Sequence, residues 1–158
     1  MTTGSHGSLA GKSILVVDDV EKVRDELVAQ YRAIGLNVAG AVSNGLAALE
    51  FLRVNHVDLV SLDIIMPEMD GIECYRRIKA EGMTALPFFV SWLAGDPRVA
   101  DALKTEIPAD LFQGKPVTES SLLDRVAKVL ARPAVVHFAS TPDSANAEDT
   151  ANEMITAA

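Results

Sequence analysis

The chain alternates short apolar runs with longer segments in which apolar residues recur at helical spacing. The run at 13–17 is apolar at almost every position and ends directly in two aspartates. A strand without polar alternation is what a parallel sheet covered on both faces requires. Between the runs, apolar residues return every three or four positions, which predicts amphipathic helices.

This pattern predicts five strands that alternate with five helices. We expect strands at 13–17, 36–41, 58–62, 86–91 and 109–113. We expect helices at 20–34, 46–54, 71–80, 96–105 and from a cap at Thr118 or Ser120 to residue 130. Such regular alternation favours an open parallel α/β sheet with right-handed crossovers.

The 158 residues divide into one predicted domain and two flanking segments. Residues 1–11 are small and polar, so we expect a flexible leader without the apolar core of a signal peptide. The α/β pattern fills residues 12–131. Residues 132–158 are rich in small and polar residues, which indicates a low-complexity tail with little apolar surface to bury.

Composition narrows the classes of function. Hydrophobic residues make up 49% of the chain, enough for a core, and the single cysteine, Cys74, excludes a disulfide framework. A lone cysteine fits a reducing cytosol, and we expect a cytoplasmic protein. The net charge is −8, so we expect no nucleic-acid partner. No apolar run approaches the ~20 residues that a membrane-spanning helix needs.

Acidic residues follow two of the predicted strands. Asp18 and Asp19 come directly after the first strand, and Asp63 comes directly after the third. In a flavodoxin-like strand order, 2-1-3-4-5, these two strands are neighbours at the edge where ligands bind. Three carboxylates packed so closely together destabilise the fold unless a cation binds between them. Oxygen ligands without His or Cys select Mg²⁺ or Mn²⁺, so the sequence predicts a magnesium-type site.

Two further polar residues are expected at the same edge. Lys115 follows the fifth predicted strand, and Ser91 ends the fourth. A carboxylate, a divalent metal and an ammonium group are together the parts needed for phosphoryl transfer onto an aspartate. A serine hydroxyl nearby can donate a hydrogen bond to the bound phosphoryl group.

At these motifs the chain resembles the receiver domain of two-component response regulators. The matching segments are Ile-Leu-Val-Val-Asp-Asp at 14–19, Asp-Ile-Ile-Met-Pro-Glu-Met-Asp-Gly at 63–71, Ser91, and Phe-Gln-Gly-Lys-Pro at 112–116. The resemblance covers about residues 11–131. It implies a flavodoxin-like (βα)5 fold, a doubly wound parallel sheet with strand order 2-1-3-4-5.

The resemblance also implies roles for the site residues. Asp63 would be the phospho-acceptor, taking a phosphoryl group from a phosphohistidine in a Mg²⁺-dependent reaction. Asp18, Asp19 and Asp63, together with the backbone carbonyl of Ile65, would hold the metal ion. Lys115 would contact the phosphoryl group.

The switch residues lie where the chain departs from the family pattern. A gapless alignment places Trp92 at the position of the switch hydroxyl, whereas a deletion of one residue places Ser91 there. We favour Ser91 because it is the only hydroxyl available. Phe112 would be the switch aromatic, which rotates after phosphorylation and remodels the face formed by helix 4, strand 5 and helix 5. Trp92 would narrow access to the phosphoryl group, join a partner surface or cover helix 4.

The predicted function is therefore a phosphorylation-dependent signalling switch. Beyond self-catalysed phosphoryl transfer and autodephosphorylation, the resemblance implies no enzyme activity. The implied partners are a histidine kinase or histidine phosphotransfer protein and a downstream protein effector, and a homodimer through the helix 4–strand 5–helix 5 face is compatible with the family. The alternative is a pseudo-receiver, a protein-interaction module that does not switch.

Two enzyme-like readings of the same aspartates are disfavoured. A phosphatase of the haloacid-dehalogenase type needs a second acid two residues after its nucleophile, where this chain has Ile65. A flavodoxin needs a loop rich in hydroxyl groups and glycine after the first strand, but here that loop begins with Asp18 and Asp19.

Overall fold

In a computed structural model, residues 9–132 are described, and they form five strands and five α-helices. The strands are β1 (Ser13–Val17), β2 (Asn37–Val42), β3 (Leu59–Leu62), β4 (Leu86–Ser91) and β5 (Phe112–Gly114). The helices are α1 (Glu21–Ala33), α2 (Gly45–Val54), α3 (Gly71–Ala80), α4 (Pro97–Leu103) and α5 (Glu119–Leu130). Most of the predicted leader, 1–8, and the predicted tail from 133 onward lie outside the described residues.

The five strands pair in parallel in the order β2-β1-β3-β4-β5, which confirms the flavodoxin-like fold. Right-handed crossovers in this order leave α1 and α5 on one face of the sheet and the other three helices on the opposite face. Accordingly, α1 packs beside α5 and α2 packs beside α3. All five strands therefore end at one edge of the sheet, where their following loops meet.

The central strands are buried on both faces, as their continuous apolar runs predict. Every residue from Ile14 to Val17 in β1 is buried, and so is every residue of β3. One polar pair lies inside this core, where the Tyr31 hydroxyl donates a hydrogen bond to Ser61 Oγ at 2.7 Å. The pairing satisfies both hydroxyl groups, whose burial would otherwise cost free energy.

Polar side chains cap four of the helices at their N-termini, on the edge of the sheet where the strands end. Asn44 caps α2, Asp70 caps α3 and Asp96 caps α4, each accepting a hydrogen bond from a backbone N–H of the first turn. For α5 the cap is Thr118 rather than Ser120, because Thr118 and Ser121 exchange hydrogen bonds between side chain and backbone.

The region from β4 to β5 differs most from the sequence-based expectation. A 3₁₀ turn, Trp92–Gly95, follows β4, and α4 ends at Leu103, earlier than expected. A second 3₁₀ turn, Ala109–Leu111, replaces the first part of the predicted fifth strand. Leu111 at the end of this turn and Phe112 at the start of β5 are both buried in the core. At the other end, Leu9 of the predicted leader is fully buried.

We predict that Gly71→Ala destabilises the protein, because a Cβ at residue 71 would overlap the backbone carbonyl oxygen of Asp63. The Gly71 N–H donates to the carbonyl of Ile64 at 2.8 Å, so the backbone there has little room to move. A strained substitution of this kind costs about 2 kcal/mol, measurable by urea unfolding. Gly95→Ala is the control, because nothing lies within 4 Å of its added Cβ. Equal losses in the two variants would contradict the prediction.

Candidate functional site

The site is built on the residues that directly follow two neighbouring strands. In the β1–β3 register Val17 pairs with Leu62, so the next residues, Asp18 and Asp63, stand side by side. The Asp63 N–H donates to the Val17 carbonyl at 3.0 Å, and the Asp18 N–H donates to the Val42 carbonyl at 3.1 Å. The backbone hydrogen bonds of the sheet thus continue one residue beyond the strands and hold both aspartates in place.

Three carboxylates meet at this edge, as the sequence predicts. Asp18, Asp19 and Asp63 each offer one oxygen, and these oxygens lie within 4.8 Å of one another. Asp18 is fully buried, Asp63 is 9% exposed and Asp19 is exposed. Because buried like charges repel strongly, this arrangement demands positive charge nearby.

Lys115 supplies part of that positive charge. Its side chain is 5% exposed, and its Nζ lies 2.7 Å from Asp18 Oδ2 and 3.6 Å from Asp63 Oδ2. The Lys115 N–H donates to the Ser91 carbonyl at 3.2 Å, which continues the pairing of β5 with β4. One buried ammonium therefore faces two buried carboxylates, and the cluster keeps a net negative charge.

The Asp63 carboxyl group has an elevated pKa. Burial is the main cause, and the neighbouring charge of Asp18 raises the pKa further. A hydrogen bond from Ser91, the ammonium of Lys115 and the N–H of Ile64 act in the opposite direction but do not cancel the burial effect. The Ile64 N–H donates to Asp63 Oδ1 at 2.8 Å, so Oδ2 is the oxygen that faces Lys115.

Asp18 is held through its backbone and through both carboxylate oxygens. The Val20 N–H donates to Oδ1 at 3.0 Å, and the Lys115 ammonium donates to Oδ2 at 2.7 Å. The Arg24 guanidinium donates to the Asp18 carbonyl oxygen at 2.7 Å. Sequence reasoning missed Arg24. Its contact is with a backbone atom, for which the residue pattern holds no signal.

The donor set fits a hard divalent cation. It consists of carboxylate oxygens with no imidazole or thiolate among them, the chemistry that Mg²⁺ and Mn²⁺ prefer. The backbone carbonyl of Ile65 accepts no hydrogen bond from residues 9–132, which leaves it available as a fourth oxygen ligand. A cation bound here would offset the negative charge that Lys115 leaves uncompensated.

The two residues competing for the switch position lie in different environments. Ser91 ends β4, is buried and acts on the pKa of Asp63. Trp92 begins the 3₁₀ turn, and its side chain is 66% exposed. Phe112 is buried at the start of β5, where its ring stacks on Phe89 with centroids 5.1 Å apart. The hydroxyl group therefore faces the carboxylates, and the indole faces solvent.

Comparison with known proteins agrees with this arrangement. A family model described as the response regulator receiver domain matches residues 14–127. The chemotaxis protein CheY of Thermotoga maritima is 33% identical over 119 residues, which cover 75% of this chain and 98% of CheY. The probable transcriptional regulator ycf27 of Cyanophora paradoxa is 34% identical over 122 residues, 77% of this chain, which spans only 49% of that regulator.

Solved structures give the same result. The chain is similar to one from the crystal structure of the CheX–CheY–BeF3–Mg complex from Borrelia burgdorferi, with a TM-score of 0.67 and 27% identity. The match covers 80% of this chain and 95% of that one. Within residues 9–132, no helix has the length and apolar character required to cross a membrane.

We predict that Lys115→Met destabilises the protein by about 3 kcal/mol, because it leaves the buried Asp18 carboxylate without its ion pair. Urea unfolding at pH 7 measures the loss, and adding Asp18→Asn to the variant should recover part of it. Lys22→Met is the control, since Lys22 pairs with Glu26 on the surface and should change stability by less than ~0.5 kcal/mol. A loss in Lys115→Met no larger than the control's would show that the buried pair is unimportant.

We further predict that Asp63→Asn raises the free energy of unfolding at pH 7, because burial disfavours the ionised carboxylate. A raised pKa in the folded protein means that stability falls as pH rises from the ordinary aspartate pKa, about 4, to the folded-state pKa. The variant lacks this fall, so its advantage should be near zero at about pH 3.5 and largest at neutral pH. Urea unfolding across this range tests the profile. An Asp63→Asn protein less stable than wild type at pH 7 would refute it.

Proposed function

The chain belongs to the response regulator receiver domain family, and on that premise we propose that Asp63 accepts a phosphoryl group from a phosphohistidine. Receiver domains are signalling modules of two-component systems rather than classical enzymes. The proposed reaction is accordingly a single transfer that changes the state of the protein, followed by self-catalysed autodephosphorylation.

One observation carries this proposal. The carboxylates of Asp18, Asp19 and Asp63 converge with the ammonium of Lys115 in one cleft, although the residues come from three separate parts of the chain. An arrangement made only for stability would not bury two carboxylates against one ammonium, because the desolvation is not fully compensated. A site that receives a cation and a phosphoryl group supports this arrangement better.

The proposed transfer uses Asp63 as the nucleophile. A carboxylate oxygen attacks phosphorus as the bond from phosphorus to the donor's imidazole nitrogen breaks, and the geometry of attack is in line. Lys115 lies 3.6 Å from Asp63 Oδ2, so its ammonium would stabilise negative charge on the phosphoryl oxygens. The Ile64 N–H keeps the carboxylate oriented throughout.

We propose that Asp18, Asp19, Asp63 and the carbonyl of Ile65 hold Mg²⁺, for which Mn²⁺ is a substitute. The bound ion would supply the positive charge that the transferring phosphoryl group requires. The related Borrelia burgdorferi structure is that of a complex with Mg²⁺ and BeF3, which supports the same pairing here. Lys115, no longer the principal counterion of Asp18, would then be available to the phosphoryl group.

The proposed output is a conformational switch. Ser91 would donate a hydrogen bond to the phosphoryl group, and Phe112, which stacks on Phe89 in this structure, would rotate into the space that becomes available. The change would remodel the face formed by α4, β5 and α5, where we expect a downstream protein effector to bind. The donor would be a histidine kinase or histidine phosphotransfer protein in the cytoplasm. The buried position of Ser91 favours this switch over the pseudo-receiver alternative.

Phosphorylation of Asp63→Asn tests the proposal, because the substitution removes the nucleophile and preserves the shape of the side chain. Acetyl phosphate with Mg²⁺ should phosphorylate the wild type, as detected by intact-protein mass spectrometry, and should not phosphorylate the variant. Chelation of the metal with EDTA should abolish labelling of the wild type. Asp101→Asn, a surface change at a residue that pairs with Lys104, is the control and should retain labelling. Full labelling of Asp63→Asn would refute the assignment.

A further inference from the structure

Arg24 lies beside the acidic cleft, and the proposed phosphoryl transfer gives it no role. It is the fourth residue of α1, and it is half-buried. Its Nη1 donates a hydrogen bond to the Asp18 carbonyl oxygen at 2.7 Å, although Asp18 lies six residues earlier in the chain. A hydrogen bond from a charged donor is shorter and about twice as strong as one between neutral groups.

The Asp18 carbonyl belongs to the peptide group that joins Asp18 to Asp19. Because a peptide group is planar, a bond that fixes its oxygen also fixes the direction in which the chain enters Asp19. Asp18 has three further restraints. Its N–H donates to the Val42 carbonyl, and its carboxylate accepts from the Val20 N–H and from Lys115. The remaining contact, from the guanidinium, therefore matters most for the residue that follows.

Asp19 has no comparable support. Its side chain is exposed, and within residues 9–132 its carboxylate accepts no hydrogen bond and forms no ion pair. One of its oxygens nevertheless lies within 4.8 Å of those that Asp18 and Asp63 offer. A carboxylate free to sample several rotamers loses that freedom when it binds a cation, which costs free energy. The direction of the peptide group before Asp19 is thus the restraint that keeps this carboxylate near the cleft.

The start of α1 gives Arg24 a firm base for this contact. The N-cap of α1 is Val20, whose side chain has no oxygen to accept a hydrogen bond from the first turn. The helix is instead joined to the acidic loop by two bonds to Asp18, one to its carboxylate and one to its carbonyl. The Arg24 N–H donates to the Val20 carbonyl at 2.9 Å, so its backbone belongs to the first turn of the helix.

We propose that Arg24 is a positioning residue for the cation of this site, because its bond to the Asp18 carbonyl directs Asp19 toward the metal. This inference rests on the proposed function, in which Asp18, Asp19, Asp63 and the carbonyl of Ile65 hold Mg²⁺. The role of Arg24 is geometric rather than electrostatic. A guanidinium beside a cation site repels the cation, so its charge by itself weakens metal binding.

Removal of Arg24 separates the two effects by the direction of the change. Arg24→Met and Arg24→Gln both remove the charge and the bond from the guanidinium, and both residues match arginine in helix propensity. Loss of a group that orients a metal ligand typically lowers affinity about 10- to 100-fold, so we expect the Kd for the cation to rise about tenfold in each variant. A role through charge alone would lower the Kd instead.

The test measures Mn²⁺ binding to the full chain through the electron paramagnetic resonance signal of free Mn²⁺, and competition with Mg²⁺ gives the Mg²⁺ affinity. Arg32→Met is the matched control, since Arg32 is exposed and lies about 12 Å farther along α1. It loses the same charge, but beyond a Debye length, so its Kd should stay within about twofold of the wild type. Urea unfolding without metal measures the effect of each variant on stability separately.

Three results would overturn the inference. If both Arg24 variants have a Kd no higher than that of Arg32→Met, Arg24 does not position the ligand, whatever its effect on unfolding, and the proposed function stands. If acetyl phosphate labels the wild type without any bound cation, the inference fails together with the proposed metal site. If the wild type neither binds Mn²⁺ nor accepts a phosphoryl group, the proposed function itself fails.

Discussion

The buried ion pair between Lys115 and Asp18 is the interaction on which this structure depends most. It joins residues 97 positions apart and ties the last strand of the sheet to the first across the site. Because Asp63 lies beside the same ammonium, the pair also determines how much negative charge the cleft retains. A protein selected for stability alone gains more from packed apolar side chains in such a place. The uncompensated charge is therefore best understood as part of the site's chemistry.

The sheet positions this chemistry with little freedom. Asp18 and Asp63 are each the first residue after a strand, where backbone hydrogen bonds to neighbouring strands still hold them. Arg24 holds the Asp18 carbonyl, and Gly71 packs against the Asp63 carbonyl so closely that no side chain fits. These backbone contacts hold the carboxylates in place, so the proposed transfer would need little reorganisation.

The edge of the sheet separates two kinds of surface. The carboxylates of Asp18 and Asp63 are buried together with Lys115 and Ser91, so charge is concentrated inside the cleft. The apolar side chains around it, with Trp92 the largest, face solvent instead. The buried charges are the unusual part, because charged side chains are rarely buried unless they are paired.

The sequence alone determined the fold and the identity of the carboxylate cluster. Continuous apolar runs require a covered parallel sheet, and acids placed directly after the first and third runs must meet once those strands are neighbours. The bounds of the fifth strand were predicted less well. A strand of three residues after a 3₁₀ turn is too short to show a clear pattern of apolar residues. Arg24 was missed because its contact is with a backbone atom, which no residue pattern records.

Only the tertiary structure shows how Ser91 and Trp92 differ in their surroundings. A shift of one residue along a strand exchanges the two faces, and the end of β4 is too irregular for the pattern of apolar residues to choose. Pairing of Ser91 with Gly114 of β5 sets that register, placing the hydroxyl in the cleft and the indole in solvent.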